Sequence, residues 1–183
     1  MVVTRHWRRI VKADREGRRG FASPPSVATT IGGPTALELL ERLTGGGIMP
    51  HAQQILETHP RTLGVAPGPL VACIDACFDC AQSCTACADA DLGEPDVETM
   101  IRCIALCHNC SDICISTGRV LSRQTEFVPQ VARVALQACI EACRLCGDEC
   151  ERHAQHHEHC RICAEVCRIC EQACDDALKA LPT

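Results

Sequence analysis

The sequence predicts an all-α protein, an antiparallel up-down four-helix bundle with a cysteine-lined core, preceded by a short helix and a disordered N-terminal extension. Three observations predict it. All 18 cysteines fall into four segments, and within each they recur at gaps of three and four, the spacing that keeps side chains on a single stripe of a helix. The connections between these segments are short and marked by Pro or Gly, which favours antiparallel neighbours. Finally, one Trp, three Phe and no Tyr in 183 residues make a poor conventional core, so another residue must occupy the interior seam.

Residues 1–48 carry no cysteine, are Arg-rich to Arg19, and are then broken by Pro24, Pro25, Pro34 and several glycines. They are expected to be a disordered extension or the product of a start codon upstream of Met49, with at most a short helix over Thr35 to Leu43. The bundle domain is expected over 49–183. A brief helix from Pro50 to Thr58 would present Ile55 and Leu56 as a small apolar face before His59 and Pro60 end it. Pro67 and Pro69 open the first long helix, which should run to about residue 90, with Gly93 as its stop. Glu94, Pro95 and Asp96 form an acidic start for the second, which reaches about Leu121 with Gly118 weakening its last turn. The third is expected from Glu126 to His156, and a tight turn at 156–159 leads to a fourth that ends near Leu181. Asp75, Asp79, Gln82, Asp89, Glu141, Arg144, Asp148, Glu165, Arg168 and Glu171 lie between the stripes and should form the solvent faces.

The rows are Cys73, Cys77, Cys80, Cys84 and Cys87; Cys103, Cys107, Cys110 and Cys114; Cys139, Cys143, Cys146 and Cys150; and Cys160, Cys163, Cys167, Cys170 and Cys174. A few cysteines on a seam would read as small buried hydrophobes. Eighteen of them, with hardly another residue sharing the stripe, point to chemistry. A disulfide framework joins elements of loop-rich, exported scaffolds. Here Arg18, Arg19, Gly20 and Phe21 resemble a degenerate twin-arginine signal, but Pro24 and Pro25 follow at once and no apolar region develops, so a cytoplasmic location is expected. No run of about 18 apolar residues is present, which argues against a membrane span. The net charge of -5, with both signs interspersed, leaves no basic footprint for nucleic acid.

Metal binding remains, and charge selects the metal. Four Zn(II) ions on sixteen thiolates would leave a buried charge of about -8, costly in a helical interior. A monovalent soft cation at about one per thiolate brings the core near neutrality, and soft thiolates select Cu(I). A CxxxC pair on one helix already sets two sulfurs side by side. Iron–sulfur clusters more often gather their ligands in loops, and a redox CxxC belongs in a thioredoxin-like setting. A thiol-based redox protein or an iron–sulfur electron carrier is the alternative.

A CxxxCxxCxxxC row on each of four helices resembles the bacterial copper storage proteins, over about residues 50–181. The resemblance implies a lumen filled with multiple Cu(I) ions on cysteine pairs, assembly as a homotetramer, no catalytic activity, and the cytosolic branch of the family. Copper would come from a chaperone or a low-molecular-weight thiol.

Beyond the cysteines the seam distinguishes the two ends. In antiparallel order Leu70, Leu121, Leu136 and Leu181 gather at one end as an apolar plug. Met100, His153 and His156 continue the rows at the other, where soft and borderline ligands mark an entrance. His108 stands beside Cys107 as a weaker ligand candidate.

Overall fold

The computed structural model describes residues 50–61 and 66–182, and the expected helix over Thr35 to Leu43 and the character of 1–48 lie outside them. Among the described residues there are five helices and no strand: α1 Pro50–Glu57, α2 Pro67–Gly93, α3 Val97–Leu121, α4 Pro129–His153 and α5 Glu158–Ala180. The long four form the expected bundle in a square arrangement. α2 neighbours α3 and α5, and α4 neighbours the same two.

The ends of the helices follow local chemistry. Proline in the first turn opens both α2 and α4, where its missing N–H costs no hydrogen bond. α2 continues through Gly93, three residues further than expected, until Glu94 turns extended and its N–H donates to the Asp91 carbonyl at 3.2 Å. α4 is shorter than expected at both ends. Val128 is extended before Pro129, as the residue before a proline prefers, and the helix stops at His153 rather than His156. In α1 the expected apolar pair divides, with Leu56 buried and Ile55 exposed. Thr58 closes that helix by donating from Oγ1 to the Gln54 carbonyl at 2.9 Å.

Two glycines serve close approach. Gly118, read from the sequence as a weak point, is buried where α3 crosses α2, and a Cβ there would stand 3.1 Å from the ring of Phe78. Gly147 lets the Arg168 guanidinium of α5 lie against α4, where a Cβ would meet Cζ at 3.1 Å. From that position Arg168 pairs with Asp148 at 2.5 Å and Glu151 at 3.1 Å, fastening α4 to α5. Of the ten expected solvent-face residues Gln82, Asp89, Glu141 and Glu165 are exposed and the other six are half-buried, Asp75 with its Oδ1 enclosed and unpartnered.

One further expectation needs correcting. α2 is long and apolar enough to cross a membrane, with a mean hydropathy of 1.3 over its best 18-residue window. Cysteine and alanine raise that value. Their side chains at Cys73, Cys77, Cys80, Ala81, Cys84, Cys87 and Ala88 are buried in the bundle.

Candidate metal centre

Each long helix turns its cysteine row to the bundle axis because a gap of three or four residues is close to one helical turn. All 18 thiols are free and buried, none more than 2% exposed. The four leucines plug one end: Leu70, Leu121, Leu136 and Leu181 are buried in the same core as the sulfurs.

From that plug the sulfurs form a continuous column. Cys73 and Cys174 lie 3.5 Å apart, and Cys77 reaches Cys174 at 3.8 Å and Cys139 at 4.0 Å. Cys114 then meets Cys139 and Cys143 at 3.6 Å each. Further along, Cys84 lies 3.7 Å from both Cys163 and Cys167. Cys107 stands 3.6 Å from Cys146, and Cys103 the same distance from Cys150. Diagonal helices touch through sulfur, as in the 4.0 Å approach of Cys80 to Cys143. The CxxxC pairs Cys80–Cys84 and Cys110–Cys114 are also close, at 3.8 Å each, yet most of the short approaches join different helices. All these separations are far beyond the S–S bond length of about 2.05 Å.

Sets of four sulfurs lie within 4.8 Å of one another, and the sets overlap. Cys80 belongs with Cys114, Cys143 and Cys170 but also with Cys84, Cys110 and Cys167; Cys84 and Cys167 join Cys146 and Cys163 in turn. Isolated tetrahedral zinc sites need separate tetrads. Overlapping ones suit an array in which thiolates bridge successive ions.

Proton sharing runs along the column. The hydrogen bond with Cys114 holds the Cys110 thiol well below its ordinary range, while the same contact pushes Cys114 well above. Cys73 is lowered to about 5 by hydrogen bonding with Cys174 and then Cys77, against the opposing effect of burial. Cys146 is lowered to about 7, chiefly by Cys107. A thiolate held by a neighbouring S–H is a ligand prepared for a soft cation.

At the mouth, opposite the leucines, Met100 is fully buried. His153 has 19% of its side chain exposed and lies 3.6 Å from Glu149. His156 is exposed in the turn between α4 and α5, and His108 is exposed on the outside of α3. The sequence reading sets His156 one step before Cys160, and its exposure takes it away from the sulfur column; His108, beside Cys107 and off the seam, is exposed as well. Extrapolating the α5 row back one step from Cys160 to His156 fails because α5 begins only at Glu158. The residue that meets sulfur is His159, whose Nδ1 is 3.5 Å from both Cys87 and Cys160. Its Nε2 is 3.1 Å from Glu94, which also pairs with His157 at 3.0 Å. Asp91 is fully buried beside them, 3.4 Å from Cys160. Burial, reinforced by the charge of Cys103, pushes its carboxyl up to about 6, whereas the hydrogen bonds from His157 and His159 lower Glu94. Sequence reasoning missed His159, Asp91 and Glu94. The one available signal was that His159 precedes Cys160 directly, one position off the seam.

A four-helix bundle filled with reduced thiols defines a soft-metal-binding protein. Comparison with known proteins makes this specific. Residues 68–179 match the family model of copper storage proteins, and the chain belongs to that family. It is similar to the copper storage protein Ccsp of Streptomyces lividans in a structure loaded with 10 copper equivalents: 50% identity, 71% of this chain and 99% of that one, TM-score 0.70. A five-copper structure of a cytosolic copper storage protein from the same organism gives 53% identity over 62% of this chain and 95% of that one, with TM-score 0.61. The cysteine-rich protein YhjQ of Bacillus subtilis is 33% identical over 93 residues, which are 51% of this chain and 81% of that one.

Proposed function

We propose that this protein stores Cu(I) in the cytosol, taking many ions per chain into the thiol column. The observation that carries the reading is the continuous run of sulfur neighbours through the bundle, far more donor capacity than one transfer or catalytic site requires. All 18 cysteines are its ligands. Each incoming cuprous ion displaces S–H protons and is passed inward by thiolate exchange, because a next sulfur always lies within about 4 Å. The Streptomyces relatives, loaded with five and ten coppers, support both the metal and the multiplicity.

Met100, His153 and His159 stand at the entrance in this reading, and the leucine plug closes the other end. His108 and His156 are peripheral ligands at most, being exposed. The chain acts without catalysis, receives copper from a chaperone or a small thiol, and assembles as a homotetramer, as its family resemblance implies.

Anaerobic titration of the reduced protein with Cu(I), Zn(II) and Fe(II) tests the reading. Saturation at many Cu(I) per chain, with a colourless product, is the expected result. Saturation after only a few ions, or tighter retention of zinc at matched free-ion levels, would refute storage. A brown protein on purification would restore the iron–sulfur alternative.

A further inference from the structure

One ion-pair cluster on the flank of the bundle reverses the pattern of the others. Elsewhere among the described residues every ion-paired arginine meets more than one carboxylate: Arg144 meets Glu141 and Asp148, Arg161 meets Glu158 and Glu165, and Arg168 meets Asp148, Glu151 and Glu171. Between α3 and α4 a single carboxylate serves two arginines. Glu149 Oε2 accepts from Arg102 Nε and from Arg152 Nη1, at 2.9 Å each. The acid is 7% exposed, whereas the two arginine side chains are 65% and 67% exposed. Asp148, one turn before Arg152, is already held by Arg144 and Arg168.

The cluster therefore carries one positive charge in excess, and two cations crowded on one acid attract an anion from solution. Their free donors suit it. Arg102 spends only Nε on Glu149, so among the described residues both terminal nitrogens of its fork are without a hydrogen-bond partner, and Arg152 keeps Nη2. A guanidinium fork matches a carboxylate with two parallel bonds. The cluster also adjoins the copper path. Arg102 directly precedes Cys103 and Glu149 directly precedes Cys150, whose sulfurs are 3.6 Å apart. The other oxygen of Glu149 lies 3.6 Å from His153 Nε2.

We propose that Arg102 and Arg152 form a docking site for the carboxylate groups of an anionic cuprous complex of a small thiol, with Glu149 as the residue that holds the two arginines in place. This rests on the storage reading and specifies the donor. A cuprous ion on two thiolates carries one negative charge, to which the donor's carboxylates add, so the complex is drawn to the cationic pair. The exchange that follows balances. Two Cu–S bonds to the donor break, two to cysteine form, and the two cysteine S–H protons leave on the departing donor thiols, with no change of oxidation state.

Stopped-flow uptake by the reduced full-length protein tests this, with Cu(I) supplied either by glutathione or by N-acetylcysteamine, a thiol without a carboxylate. Arg102→Gln and Arg152→Gln each leave Glu149 one partner. At low ionic strength each should slow uptake from the glutathione complex at least about threefold and leave uptake from the N-acetylcysteamine complex unchanged. At about 0.5 M salt the difference should vanish. In the parent protein, metal-free S-methylglutathione, which has the carboxylates without a thiol, should slow the glutathione donor alone. Arg161→Gln, whose partners are Glu158 and Glu165, should change neither rate. Rates that fall equally for both donors, that fall for neither, or that Arg161→Gln lowers as much overturn the proposal. The final amount of copper bound reads capacity separately, so a protein that fills fully from either donor without discriminating between them refutes the docking site alone, whereas one that saturates after a few ions refutes the storage reading.

Discussion

Cys73 and Cys174 are 101 residues apart in the chain, yet their sulfurs approach to 3.5 Å beside the leucine plug. They form the far end of the column, remote from the mouth. Replacing both with Ser should reduce Cu(I) capacity in proportion to the two thiols removed, with the remaining sites filling as before. Titration against a competing chelator measures this. A loss of more than half the capacity would mean that filling is all-or-none from the plugged end.

Removing metal should leave the bundle folded. Protonated thiols pack as small apolar groups, and here they share one buried core with Leu, Ile and Ala. The reduced apo protein should therefore give a strongly helical far-UV circular dichroism spectrum. A largely unordered spectrum, as expected of a metal-dependent zinc finger, would contradict this.

The two ends of the bundle should respond differently to substitution. Leu121→Ala or Leu136→Ala, each at a side chain with no exposure, should cost about 2–5 kcal/mol through the cavity left behind while leaving the Cu(I) uptake rate unchanged. Met100→Leu with His153→Ala should slow uptake while leaving capacity close to that of the parent. Stopped-flow transfer from a coloured Cu(I) chelator separates the two, and an unchanged rate in the Met100/His153 variant would remove the entrance from that end.

Gly118→Ala tests close packing of α3 on α2. Alanine gains about 1 kcal/mol of helix propensity, but its Cβ would stand 3.1 Å from the Phe78 ring, and overpacking of that kind typically costs about 1–3 kcal/mol. The expected net effect is a destabilisation of about 1 kcal/mol, abolished when Phe78→Leu removes the ring. Chemical denaturation of the two single variants and the double variant measures the coupling, and a stabilising Gly118→Ala in the parent background would show that the ring yields freely.

Gly118 also illustrates where sequence reading stopped. A glycine near a helix end reads as a weak turn from one strand of sequence; its purpose is visible only when Phe78 of another helix is placed against it. Asp75 is similar, since its position between two seam cysteines suggests solvent while the structure encloses one of its oxygens.

By itself the sequence determined the helices, the face each turns inward, the leucine plug and the soft-metal chemistry of the interior. These are local properties: a gap of three or four residues sets a stripe on any helix, and proline marks where a helix begins. Only the tertiary structure decided which sulfurs meet across the axis, because that depends on the relative rotation and height of neighbouring helices. It alone also put His159, rather than His156, against the sulfurs. α5 begins at Glu158, so the periodicity counted back from Cys160 ends before His156, and the partners of His159 come from α2 and the turn after it, more than 60 residues away in the chain.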